Sequence, residues 1–230
     1  MEKALLQIIY QYENISLQNG QTIRCPYWSN LIKNGEIIID GKFGGKGSSV
    51  QIQQALNQAL SLEKILSPIP VPKIESLARR HHIGIDCSGY IMRILGYLSQ
   101  KKLISKSKLE SLFPKGIYAT NADMLTANNI SFLVKKVTGI HPLDLVRMMD
   151  GKHILMVIEN SGKEIIYTHS SGVTQIRGVH KGKIIISNPQ KGLEDQLWNE
   201  KTRLGFNFGK KYYHPQKGDG IKRINFIQNE

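Results

Sequence analysis

Cysteine is scarce in this chain: of 230 residues, only Cys25 and Cys87 carry a thiol. Two cysteines build neither a disulfide framework nor a paired CxxC zinc site, and a single Cys25–Cys87 bond is the most they allow. Long apolar runs are missing too. None approaches the roughly 18–20 residues that cross a bilayer, which excludes a transmembrane helix. Met1 to Tyr10 lack the signs of a signal peptide, because Gln7 breaks the apolar run and no small-residue cleavage site follows. They read instead as an amphipathic helix, which points to a cytoplasmic protein. A chain trimmed of its leader, or exported to the cell wall by an unseen route, is the alternative. Acidic residues are few, 18 against 31 Lys and Arg, for a formal charge of +13. Such a field attracts polyanions: nucleic acid, anionic wall polymers or acidic lipid. The basic residues are spread over the whole chain, without a dense arginine patch or a series of stacking aromatics.

What is present suits a folded domain. The hydrophobic fraction, 40%, is ordinary for a globular protein, and the length allows one sizeable core or two small ones. Thr22 to Cys25 and Glu36 to Asp40 read as short strands, with Asn34-Gly35 as a hairpin turn. Gly41 to Ser48 invites a phosphate-loop reading, but the glycine spacing is wrong and Gly47 stands where Ser or Thr should follow Lys46. Ser48 with Gln51 forms a capping box, predicting a helix from Ser49 to about Leu60. Pro68 to Pro72 reads as an extended connector before a helix over 73–82. Helical stretches follow at 103–113 and, capped by Asn121, to about Ala127. Strands are predicted over 130–134, 152–159, 163–169 and 222–227, the last after the turn Gly218-Asp219-Gly220. Helices first and strands last indicate an α+β domain.

The centre of the pattern is Gly84-Ile85-Asp86-Cys87-Ser88-Gly89-Tyr90. Asp86 can cap a helix whose first turn holds Cys87, where the helix dipole and free N–H groups favour thiolate. Gly84 and Gly89 allow another segment to approach closely. A nucleophilic thiol needs an imidazole base, and the base needs a third polar group to orient it. A hairpin with loop 160–162 pairs Glu159 with Lys163, and the same register sets His153 directly opposite His169. A one-residue slip would put the rings on opposite faces. His81 and His82 point in different directions on a helix and suggest no metal. His141, His180 and His214 read as surface or turn residues, His180 in a turn over 178–182.

These residues resemble the NlpC-type cell-wall cysteine peptidases, a branch of the papain-like fold. Gly84 to Tyr90 looks like that family's nucleophile motif. Pro142-Leu143-Asp144-Leu145-Val146 is similar to the segment before its base, with Leu143 in place of the usual Gly. His153 to Ile158 and Tyr167 to Gly172 are similar to the strands bearing the base and the third polar residue. The resemblance implies Cys87 as nucleophile, His153 as base and His169 as orienter. It also implies that Asp86 and Ser88 meet the substrate's free amino group. Pro26-Tyr27-Trp28 and Gly44-Gly45, contiguous in the family, are separated here, and Tyr27 is the counterpart of its oxyanion donor. The expected architecture is a nucleophile helix packed on an antiparallel sheet: an N-terminal segment, 1–83, integrated with or preceding a catalytic core, 84–230. The implied activity is amide hydrolysis of a peptide or peptidoglycan fragment, without cofactor or metal. The residues alone also permit an acyltransferase or deamidase, or a basic polyanion-binding module with an inert Cys/His set.

Overall fold

In the computed structural model, residues 1–34 and 36–227 are described. Gly35 of the expected turn lies outside them, and Asn34 before it holds a positive φ of 53°. In chain order the elements are α1 (Glu2–Glu13), β1 (Ile15–Ser16), β2 (Thr22–Ile23), β3 (Leu31–Lys33), β4 (Glu36–Ile39), α2 (Ser49–Leu62), α3 (Val71–Arg80), α4 (Cys87–Gln100), α5 (Lys106–Leu112) and α6 (Ala122–Leu125). Then come β5 (Ser131–Val134), β6 (Leu145–Met148), β7 (His153–Asn160), β8 (Glu164–Ser171), β9 (Gly178–Ile185), β10 (Leu197–Trp198), α7 (Phe208–Tyr212) and β11 (Gly220–Ile224). The class is α+β, with one seven-stranded antiparallel sheet ordered β10-β9-β8-β7-β6-β11-β5 and two small hairpins, β1-β2 and β3-β4.

Local chemistry fixes the helix starts. Ser48 and Gln51 form the capping box of α2, and Asn121 accepts from the Met124 N–H at 2.8 Å. α3 begins two residues earlier than the connector reading allowed. Pro72 lies in its first turn, where a missing N–H is harmless and a fixed φ suits the helix. The stretch 103–113 is helical only from Lys106, with Ser105 as its cap.

The sheet is covered on both faces. Ile154, Met156 and Ile158 face a cluster shared with α1, α2, α3 and α4, which runs from Leu5 to Ile227. Described residues on both sides of the expected boundary at 83/84 thus contribute to one continuous apolar core. Leu155, Val157 and Tyr167 face a second cluster with Trp198, Phe208 and Tyr213, built by the chain after β9. Two hydrogen bonds fasten the start of α4 to β8: Tyr90 Oη with Thr168 Oγ1 at 3.0 Å, and Ser170 Oγ to the Ile85 carbonyl at 2.7 Å.

The hairpin register differs from the expected one. Glu159 faces Ile166, three residues beyond the predicted partner, because the turn closes over 161–164. An odd offset would send the two rings to opposite faces. A bulge at Ile158 then shifts the ladder, and Met156 faces Thr168, two beyond its predicted partner. The even offset returns His153 and His169 to one face, diagonal rather than opposite. The residue directly opposite His169 is His180 in β9. The expected turn over 178–182 is therefore strand, because eight consecutive residues find ladder partners in β8.

Candidate active site

Asp86 makes the first turn of α4 by accepting the Gly89 N–H at 2.6 Å. Glycines let three distant segments meet there. A Cβ on Gly84 would lie 2.6 Å from the Pro26 carbonyl oxygen and 2.7 Å from the Trp28 nitrogen. One on Gly89 would lie 2.6 Å from the Gly45 carbonyl oxygen. Tyr27 bridges to Ile85, and Asp86 N–H donates to the Gly45 carbonyl at 2.8 Å. The two halves of the separated motif thus reconverge around Asp86, with β3 and β4 between the halves and α2 and α3 between Gly45 and Asp86.

Lys46 is buried in this junction. Its ammonium donates to Asp86 Oδ1 at 2.9 Å, Ser88 Oγ at 2.6 Å and the Thr120 carbonyl at 2.9 Å. Ser88 also donates to Asp86 Oδ1 at 2.9 Å. Asp86 and Ser88 therefore already hold an internal cation, in the place where the resemblance has them meet a substrate amine. Among the described residues, Asp86 Oδ2 is the acceptor left over.

Cys87 is 6% exposed, and Cys25 is wholly buried. The two are free thiols, not a disulfide. Cys87 Sγ lies 4.0 Å from the Lys152 carbonyl oxygen and also within reach of the Ile154 backbone. It is set against the chain on both sides of His153. Its hydrogen-bonding neighbours are backbone groups, not the imidazole. Burial, reinforced by Asp86 and opposed by Lys46, pushes the thiol up to about 12. The thiolate expected from the helix terminus is thus absent at neutral pH, because desolvation outweighs the dipole. Tyr27 is half-buried beside it. Burial first, then the proximity of Cys87, raises its phenol to about 12, so it stays a donor.

The imidazoles form a chain. His153 Nε2 lies 2.9 Å from His169 Nδ1, and His169 Nε2 lies 3.1 Å from Glu200 Oε1. His180 Nε2 lies 2.6 Å from the same oxygen and 3.0 Å from His169 Nε2, while its Nδ1 faces the Gly178 carbonyl at 3.0 Å. Tyr167 Oη donates to Glu200 Oε2. Burial, strongest on both, lowers His153 to about 3 and also lowers His169, so each is neutral. Burial opposes ionisation of Glu200, but electrostatic attraction to His169 and His180 and the hydrogen bonds they make outweigh it and hold the carboxyl well below its usual range.

The donor directions follow from that carboxylate. An ionised Glu200 accepts only, so His169 carries its proton on Nε2 and presents a lone pair at Nδ1. His153 must then donate from Nε2, which leaves the lone pair of its Nδ1 as the basic site. Among the described residues, that Nδ1 has no hydrogen-bond partner. Both nitrogens of His180 face oxygen acceptors, Glu200 Oε1 and the Gly178 carbonyl.

His180 and Glu200 were not found by sequence reasoning. His180 looked like a turn residue, and Glu200 sits in an irregular stretch with no motif around it. The first three residues of β9 are all buried, so no simple alternation marks His180. Nothing local marks Glu200. Its Oε1 with the Nε2 atoms of His169 and His180 also makes a group of three ligand atoms, all within 4.8 Å of one another, that could hold a metal ion. His81 pairs with Glu63 at 3.0 Å, and His82 stacks on Trp28 at 4.5 Å, each engaged away from the site. No helix of the described residues is long and apolar enough to cross a membrane.

Comparison with family models, with curated proteins and with solved structures finds no match to this chain.

Proposed function

We propose that this chain is a cysteine amide hydrolase of the NlpC-type, papain-like class, acting on a peptide or peptidoglycan fragment. The observation that carries the reading is the directed chain Glu200–His169–His153, which ends in a lone pair at Nδ1 of a residue whose backbone flanks the Cys87 thiol. A Cys-bearing helix start on an antiparallel sheet, with the two histidines on adjacent strands, supports the same class. So does Leu143, which holds a φ of +74° where the resembled family carries glycine.

The resting state is a neutral thiol beside a neutral imidazole. Sγ leaves its backbone contact and gives its proton to His153 Nδ1 as it attacks the amide carbonyl carbon. Such contacts are often long before substrate binds. Tyr27 Oη donates to the oxyanion. His153 returns the proton to the departing amine nitrogen, leaving a thioester on Cys87. Water then loses a proton to Nδ1, attacks the thioester and releases the acid, and Sγ regains its proton. Throughout, His169 holds His153 in the productive tautomer and Glu200 holds His169. If an amine replaces water, the same steps give acyl transfer.

Incubation with purified peptidoglycan fragments, read by mass spectrometry, tests the reading. Wild type should release new amine and acid ends, and Cys87→Ala should not. Identical products from both would overturn it.

A further inference from the structure

A concavity is lined in part by Tyr27 but by neither Cys87 nor His153. It encloses about 390 Å³ between the segment 22–27, helix α3 and the loop 175–177. That volume suits a small ligand or one part of a larger one. Its charged wall consists of Arg24, Arg79 and Arg177 with Glu13 and Glu75, over an apolar floor that includes Ile23 and Ile74. The three arginines come from β2's end, α3 and the loop after β8, so no linear patch announces them.

Among the described residues, none of the three guanidinium groups makes a hydrogen bond or an ion pair. The acids do not balance them. Glu13 is committed to Lys181 at 3.1 Å, and Glu75 offsets part of the charge of Arg177 electrostatically. Arg24 and Arg79 remain as a cationic excess. Arg203 adds to it, since it and Arg79 both repel Arg177. Like charges gathered on a concave wall are relieved when an anion enters between them, and guanidinium binds carboxylate in a two-pronged fashion. The two glutamates in the wall oppose a doubly charged phosphate but tolerate a single carboxylate. The apolar floor matches the methylene stem that carries such a group.

We propose that this cavity is a substrate subsite that binds a carboxylate of the peptide, held by Arg79 and Arg177 with Arg24 at its margin. The substrate class is then an acidic peptide whose free carboxylate lies one Tyr27 ring away from the bond cut at Cys87. This rests on the amide-hydrolase reading. Tyr27 links the two sites, since it lines the cavity and lies within electrostatic reach of both Cys87 and Arg177.

Two measurements separate the failure of each idea. The first compares alkylation of Cys87 by iodoacetate, an anion, and by iodoacetamide, its neutral analogue. The ratio of the two rates should fall severalfold in Arg79→Gln/Arg177→Gln, because two positive charges about one ring away act on the small anion through their field and not by contact. It should also fall in 0.5 M salt. A ratio that moves less than twofold overturns the subsite. No alkylation by either reagent overturns the hydrolase reading, and the second measurement then decides the cavity alone. It titrates Cys87→Ala with the dansylated stem tripeptide L-Ala-γ-D-Glu-L-Lys, its D-Glu α-carboxyl free or amidated. The free acid should bind about tenfold more tightly, and the two arginine substitutions should erase the difference. Equal binding, or none, overturns the proposal. So does single-stranded DNA that binds through the same arginines while the two peptides remain undistinguished.

Discussion

Replacing Glu200 by glutamine keeps the size of the side chain and removes its charge, which isolates what the carboxylate does. At present Oε1 accepts from His169 at 3.1 Å and from His180 at 2.6 Å, and Oε2 accepts from Tyr167. Both oxygens are acceptors, so His169 has only one way to place its proton. A glutamine amide can turn its NH2 toward His169 instead. His169 would then accept at Nε2 and donate from Nδ1, His153 would carry its proton on Nδ1, and the basic lone pair would point away from the thiol. Even in the better orientation, two charge-assisted bonds of about 1.5–3 kcal/mol become neutral ones of about 0.5–1.5. The preference for the productive tautomer falls by roughly 2–3 kcal/mol, or about 30- to 150-fold in rate. We expect kcat/KM on peptidoglycan fragments to drop by that factor, mainly through kcat, since Glu200 does not touch substrate. Iodoacetamide alkylation of Cys87 at fixed pH should slow in parallel, which reports the base without any substrate. Glu200→Asp, which keeps the charge, should recover part of both. If Glu200→Gln stays within threefold of wild type on turnover and alkylation, the directed chain is not what prepares the base.

The same network predicts a response to zinc. A divalent ion held by His169 Nε2, His180 Nε2 and Glu200 Oε1 displaces the His169 Nε2 proton and reverses the donor direction. Zinc should inhibit turnover, a chelator should restore it, and the residual activity of His180→Gln should resist. Inhibition equally strong in that variant would sink the idea. Stability should fall in acid. His153 titrates near 3 in the fold against about 6.5 when unfolded, and His169 is lowered too, so below pH 6.5 the unfolded chain binds protons that the folded one refuses. His153 removes up to about 1.4 kcal/mol per pH unit between those limits, and His169 adds to the loss below pH 6.5. Denaturant melts from pH 7 to 4 should lose part of that slope in His153→Gln, and an unchanged slope would contradict the assignment. Gly84→Ala puts a methyl group against the Pro26 and Trp28 backbones, which cannot rotate away. It should cost about 1–3 kcal/mol of stability and misplace Tyr27. A melting midpoint equal to wild type would show that the junction is looser than its contacts.

Local signals account for the parts of this architecture that were legible. Ser48, Gln51, Asp86 and Asn121 announce helix starts because a cap and its acceptor lie within three residues. The α+β class follows from helices crowding the middle of the chain and strands its end. Cys87 and His153 stood out because each opens an element with a characteristic neighbourhood, and His169 because its strand carries one. What escaped was set by distance along the chain. Lys46 looked like a failed phosphate loop, yet its ammonium is turned inward to Asp86, 40 residues away. Glu200 is positioned by Tyr167, His169 and His180, and all three contacts depend on how β8 and β9 pair.

The two histidines show how a juxtaposition can survive a misread turn. The expected pairing beside the turn was off by three residues, which taken alone would have separated the rings. The bulge at Ile158 changed the offset to two, and parity, not register, decides the face of a strand. The sequence carries no mark of that bulge. Packing can select it: with Ile158 unbulged, His153 would face the apolar cluster of α4, unpaired and buried. Bulged, it reaches His169, and through it the one carboxylate that fixes its proton. The register of β7 is therefore set as much by the polar chain on one face as by the isoleucines on the other.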